Sequence, residues 1–139
     1  MLQRMQSIWL LLAAVFAFLT IKLSFYSGNI GTTEQPPSFQ YLTAGFNMWI
    51  LILTVALVCI AAIDIFLYKN RKLQGRLAIL GMLLSILNIF LYYKQTQKFA
   101  QGNYDLTAIL TLLIPVFFFL SWRGIYRDQK LVKSLDRLR

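Results

Sequence analysis

The stretch from Met48 to Tyr68 is apolar except for Thr54, Cys59 and Asp64. A carboxylate in hydrocarbon costs several kcal/mol unless it is paired, protonated or hydrated, so Asp64 is the first candidate for function. Three roles fit it: a tether between a span and the membrane surface, a proton or cation site, or a solvated interfacial group. Asp64 lies four residues before Tyr68, roughly 6 Å from the end of the run at 1.5 Å per residue. Water and the basic turn containing Lys69, Arg71, Lys72 and Arg76 can reach that depth. Arg71 falls on approximately the same helical face.

Two further polar residues, Ser85 and Asn88, interrupt the apolar run from Leu77 to Tyr93. They could line a ligand groove, or they could pack against a neighbouring helix. On a common depth scale Asn88 lies on the order of 10 Å from Asp64, too far for direct pairing. Pro115 cannot donate to the carbonyl of Thr111, so it predicts a bend near the middle of the run from Leu106 to Trp122. Such a bend can act as a hinge, or it can be a fixed accommodation for Phe117, Phe118 and Phe119.

Catalytic readings find little support. A serine or cysteine nucleophile needs a base, and the chain has no histidine and no second carboxylate at membrane depth to pair with Asp64. Cys59 is the sole cysteine, so neither an intrachain disulfide nor a cysteine metal site can form. No Gly-rich loop precedes a lysine in a strand-to-helix context. The expectation is therefore no catalytic residues, no cofactor and no metal.

The elements that must position these residues follow from composition. A chain of 139 residues that is 58 % hydrophobic and 14 % charged departs from the soluble balance, in which about a quarter of residues are charged. Four helices of about 20 residues each would use most of it. Apolar spans are expected at about residues 8–26, 48–68, 77–93 and 106–122, within a single integral membrane domain covering 1–139. The first is read as a retained anchor, because it is longer than a signal-peptide core and lacks a clear small-x-small cleavage site. Residues 27–46 read as the longest loop, broken by Gly28, Gly31, Pro36 and Pro37. Residues 94–105 read as a polar connection in which Asn103 or Asp105 caps the fourth helix.

Small residues mark the faces that pack, because helices in lipid gain little from the hydrophobic effect on meeting. Ala13, Ala17, Thr20 and Ser24 form one such stripe. Ala78, Gly81, Ser85, Asn88 and Tyr92 form a longer one, and Thr54, Ala61 and Ile65 a poorer one.

Orientation follows from the 14 Lys and Arg, set against 5 Asp and Glu. With both termini inside, Arg4, Lys69, Arg71, Lys72, Arg76, Arg123, Arg127, Lys130, Lys133, Arg137 and Arg139 are cytoplasmic, and only Lys22, Lys94 and Lys98 lie outside. The fold class is thus all-α, a four-helix transmembrane bundle with cytoplasmic N and C termini. The net charge of +9 is carried beside and after apolar runs. That distribution fits anionic phospholipids as partners and not nucleic acid. Residues 123–139 read as a basic helical tail with Leu131, Leu135 and Leu138 at helical spacing. It is suited to the membrane surface or to a partner, either another membrane protein or a second copy.

The two ends also carry a resemblance. The opening Met1, Leu2, Gln3, Arg4, Met5, Gln6, Ser7, Ile8, Trp9 is similar to that of an uncharacterised family of four-span membrane proteins from Bacteroidetes bacteria. The elements Asp128-x-Lys130-Leu131-Val132 and Ser134-x-Asp136-Arg137-Leu138-Arg139 resemble the same family's basic tail. Leu135 departs from that pattern, which has a smaller residue there, and so enlarges the tail's apolar face. The resemblance implies an inner-membrane location in a Gram-negative cell and no assigned activity. The two functional expectations are a membrane scaffold or interaction subunit and, from another class, a small transporter or proton-coupled component using Asp64. Reporter tags fused to the two termini should be found on the same side of the membrane, and tags on opposite sides would overturn the four-span topology.

Overall fold

A computed structural model describes residues 2–30, 36 and 38–137. Arg139 and loop residues 31–35 and 37 lie outside the described residues, as does the side chain of Arg4. Four helices, α1 (Leu2–Leu19), α2 (Met48–Phe66), α3 (Arg71–Thr96) and α4 (Ala108–Asp136), pack in sequence order around a ring, with α1 also against α4. Neighbours are antiparallel. Gln6 at the start of α1 meets Asp128 near the end of α4, Thr54 of α2 meets Asn88 of α3, and Arg71 at the start of α3 meets Gln129 of α4.

Small and polar residues line the helix contacts around a few large apolar side chains, Leu10, Leu57, Ile114 and Phe118 among them, and many large apolar residues face outward. Ala13, Ala17, Thr54, Ala61, Ala78, Gly81, Ser85 and Asn88 are buried, while Leu11, Phe18, Ile52, Phe66, Leu83, Phe90 and Leu112 are exposed. In the expected α3 stripe Ala78, Gly81, Ser85, Asn88 and Tyr92 are all buried. In α2, Leu57 and Asp64 complete the buried face with Thr54 and Ala61, where Ile65 is only half-buried. Gly81 is a socket: a β-carbon there would come within 2.5 Å of the buried Phe118 ring.

The expectation of a purely helical chain is corrected by a three-stranded antiparallel sheet at the end of the bundle away from the basic turn. Strands β1 (Tyr26–Ile30), β2 (Ser38–Leu42) and β3 (Gln101–Tyr104) are ordered β2-β1-β3. Strands β1 and β2 come from the segment read as the longest loop, and β3 from the polar connection. Gly28 pairs with Gly102 across β1 and β3. A β-carbon on Gly28 would sit 2.3 Å from the Gln101 carbonyl, so this close approach demands glycine. Under the sheet Phe25, Leu42, Ala44, Ile50, Tyr92, Phe99 and Ala108 form a second apolar cluster, with Phe25 stacked on Tyr92 at 4.7 Å.

Several features at the element boundaries differ from the sequence reading, and α3, expected at about 77–93, runs from Arg71 to Thr96. Helix α1 ends at Leu19, not near residue 26. Its last turn closes through the Thr20 hydroxyl, which donates to the Ala17 carbonyl, and the chain then turns so that the Phe25 amide donates to Leu42. Asp105 does not cap α4. It accepts hydrogen bonds from the Ser24 and Ser27 hydroxyls, the latter at 2.7 Å, and so ties the start of β1 to the approach to α4. Helix α4 runs without a break through Pro115 and through Arg123, so the basic tail continues the fourth span as far as Asp136.

Gly81→Ala should destabilise the protein by about 1–3 kcal/mol in a detergent unfolding titration, because the Phe118 ring must shift inside a filled core. Gly75→Ala, whose added carbon meets Ile125 at an ordinary 3.6 Å, should be near neutral. Equal stabilities for the two variants would remove Gly81 from its role.

Candidate functional site

Asp64 lies on the inward face of α2, one turn beyond Ala61, fully buried. Its backbone carbonyl accepts a 3.0 Å hydrogen bond from the Gln74 side chain of α3, which fixes the short α2–α3 turn. Both carboxyl oxygens lack hydrogen-bond partners among the described residues, and the Ser121 hydroxyl of α4, also fully buried, lacks one too. Arg71, which the sequence put on Asp64's face, instead offers its carbonyl to Gln129 Nε2 at 2.7 Å.

Ser85 and Asn88 belong to a separate polar layer deeper in the bundle. Asn88 Nδ2 donates to Thr54 Oγ1 at 3.2 Å, and Thr54 in turn donates to the Ile50 carbonyl at 2.7 Å. Ten residues of α2 separate Thr54 from Asp64, roughly 15 Å of helix, so the two polar sites are further apart than the sequence estimate. The apolar Leu57 and Ala61 lie between them. Ser85 bonds back to the Met82 carbonyl, and both Ser85 and Asn88 are closed off by packing. Tyr92 lies under the sheet with its hydroxyl facing the Thr20 and Thr54 side chains. Pro115 lies inside α4 between Ile114, which is buried in the core, and the buried Phe118 one turn on.

The basic end is the open end. Arg71, Lys72, Arg76, Arg123, Arg127, Lys130, Lys133 and Arg137 all gather there, at the start of α3 and the end of α4. Two grooves flank α4. One, of about 190 Å³, lies against α1 between Trp9, Arg123, Arg127 and Asp128. The other, of about 170 Å³, lies against α3 between Lys72, Arg76, Trp122 and Tyr126. In the first, Gln6 Nε2 donates to Asp128 Oδ2 at 2.6 Å, a buried contact between residues 122 positions apart. Beyond Asp128 the inward face of α4 continues as Val132 and Leu135, both exposed, with Leu131 beside them, because α1 and α3 have already ended.

Sequence reasoning missed Gln6, Gln74, Asp128 and Gln129, the polar residues that join helices at this end, and the buried Ser121. The signal available was positional: Gln6, Gln74, Ser121 and Asp128 fall at helical spacing on the buried stripe of their helices, as Phe118, Ser121, Ile125 and Asp128 do on α4. Among the described residues no three carboxylates or thiols come together as a metal-binding group.

Helices long and apolar enough to cross a bilayer lie at Met48–Phe66, Arg71–Thr96 and Ala108–Leu135, and α1 carries a shorter apolar stretch, Met5–Leu19. With an apolar belt facing outward and small and polar residues facing inward, the class is that of helical membrane proteins. Residues 2–138 match a domain of unknown function, DUF4293, and the chain belongs to that family. The resemblance read from the two ends therefore holds as membership of an uncharacterised family. No curated protein and no solved structure matches the chain.

Replacing either Gln6 or Asp128 by Leu should cost about 1–3 kcal/mol, because it strands a buried polar partner. The double replacement should cost less than the sum of the two. Strict additivity in a double-mutant cycle read by chemical unfolding would mean the contact contributes nothing.

Proposed function

We propose that this chain is a four-span protein of a bacterial inner membrane, with both termini cytoplasmic, acting as a non-catalytic scaffold or interaction subunit through its basic end. Helix α1, 18 residues and about 27 Å long, is close to the hydrocarbon thickness of about 30 Å and supports a fourth span. The cation distribution supports the orientation, with the sheet on the outer side.

The observation that carries the interaction reading is the end of α4. Its packing stripe outlasts the helices that cover it, leaving Leu131 49 % and Leu135 66 % exposed beside the half-exposed Val132. Arg127, Lys130 and Lys133 are exposed on the other faces of the same helical segment. Charge complementarity favours a partner helix with an apolar face and acidic flanks over a second copy, whose tail would bring like charges together. Extracted from its native membrane in mild detergent, the wild-type chain should migrate in a larger assembly. Leu131→Asp with Leu135→Asp should release the chain as a single inserted copy, since neither side chain supports the bundle. A single-copy mass for wild type and variant alike would end the interaction reading.

Asp64 favours a second reading, a proton-coupled transport component, because a buried carboxyl group with unpartnered oxygens is what a proton-carrying site presents. The scaffold reading expects liposomes holding wild-type or Asp64→Asn protein to conduct protons no faster than empty ones. A wild-type flux that Asp64→Asn abolishes while assembly stays intact would reverse the choice.

A further inference from the structure

We infer that the groove between α3 and α4 is a binding site for the head group of one anionic phospholipid. The inference rests on the reading that the basic end meets the head-group layer, and it assigns to one cleft what the overall charge leaves diffuse. Lys72 and Arg76 stand one turn apart on the exposed face of α3, and Trp122 and Tyr126 stand one turn apart on α4 across from them. The two rings stack on each other at 6.0 Å and form one wall. Gly75 lies between the two cations and forms the floor, packed closely enough that a β-carbon there would touch Ile125 at 3.6 Å and Gln129 at 3.8 Å. The Gln129 amide is held by the Arg71 carbonyl and so fixes the width of the cleft at its mouth.

Each part matches one part of a phospholipid. Lys72 and Arg76 offer donors for the phosphodiester oxygens, Arg in a bidentate fork and Lys as a point charge. Trp122 and Tyr126 are the side chains that favour the glycerol and ester layer. One and two turns deeper on the same face of α3, the exposed Ile79 and Leu83 continue toward the hydrocarbon, as Phe119 does on α4 beside Trp122, so an acyl chain has an apolar path to follow. A soluble phosphate would find the two cations and leave this path unused.

The second groove is an internal control. It too has a cation pair one turn apart, Arg123 and Arg127, and an aromatic wall in Trp9, but the Asp128 carboxylate lies in its lining. An anion entering there meets a carboxylate, whereas the lining of the α3–α4 groove holds two cations and no acid.

The test uses the full chain with Trp9→Phe and Trp49→Phe, so that Trp122 alone reports by fluorescence. In detergent it is titrated with phosphatidylglycerol, phosphatidylcholine or inorganic phosphate. Phosphatidylglycerol should shift the Trp122 emission saturably, at concentrations at least about tenfold lower than phosphatidylcholine, and phosphate alone should not shift it. Lys72→Gln with Arg76→Gln, both at exposed positions, should weaken the phosphatidylglycerol response at least about tenfold. Arg123→Gln with Arg127→Gln should leave it within about twofold. Equal losses in the two double variants, an equal response to phosphatidylcholine, or an equal response to free phosphate would each overturn the site. Failure of the wild-type chain to insert into vesicles at all would sink the membrane reading itself, whereas normal insertion without head-group preference sinks only the site.

Discussion

Helices that meet in lipid have no hydrophobic gain to collect, so this bundle depends on how closely its backbones can approach. Gly81 and Phe118 are the clearest case, a missing side chain on α3 filled by a ring from α4. Ala13, Ala17, Ala61 and Ala78 repeat the device between the other neighbours. The gain is dispersion between well-fitted surfaces, which falls away with small gaps, and it explains why so many large apolar residues can face outward. The same constraint leaves interior volume filled by Thr54, Ser85 and Asn88, small polar residues that bond one another or their own helix.

Close packing of helices leaves their ends unresolved, and the two ends are treated in opposite ways. At one, the loops that join α1 to α2 and α3 to α4 pair as strands, so their backbone groups bond each other and the Phe25–Tyr92 stack seals the bundle beneath them. Asp105 links both loops through Ser24 and Ser27, with Thr107 donating to the Ser24 carbonyl. At the other end the turn between α2 and α3 is short, the starts of α1 and α3 stop early, and α4 runs on. Helices of unequal length cannot all be covered, so the basic end exposes what the capped end hides.

The sequence carried the helical half of this well and the sheet not at all, for a physical reason. The α3 stripe recurs at helical spacing within one segment, so local periodicity contains it. Strand β1 is five residues long and pairs with β3 some 75 positions away; in isolation Gly28 and Gly102 look like breakers, and only facing each other do they become the condition for contact. The end of α1 was illegible because Ile21, Leu23, Phe25 and Tyr26 keep the segment largely apolar while the backbone turns. The continuity of α4 was hidden for the converse reason, since at Arg123 the composition changes and the backbone does not. Hydropathy reports the solvent around a segment, and hydrogen bonding decides its shape. At the candidate sites the residue types were readable, Asp64 above all, while the Gln6–Asp128 bond and the company Asp64 keeps depend on tertiary neighbours that no local pattern encodes.

Polar groups at membrane depth are costly, and here they are distributed unevenly. The Thr54–Asn88 pair sits beneath the sealed end, and around it Thr20 bonds its own helix. Near the open end Gln6, Gln74, Asp128 and Gln129 join helix to helix through single hydrogen bonds. Together these bonds, between partners 122, 10 and 58 positions apart, couple the chain's start, its central turn and its final helix. Asp64 and Ser121 lie among these residues with side-chain oxygens unmatched within the described structure. A sealed end, a dry apolar middle of Leu10, Leu57, Ile114 and Phe118, and a polar open end with cation-lined clefts make a molecule whose chemistry is confined to one side. The clefts beside α4 and the uncovered stripe of Leu131, Val132 and Leu135 are carried by one continuous helix, so the open features of this end all fall on α4.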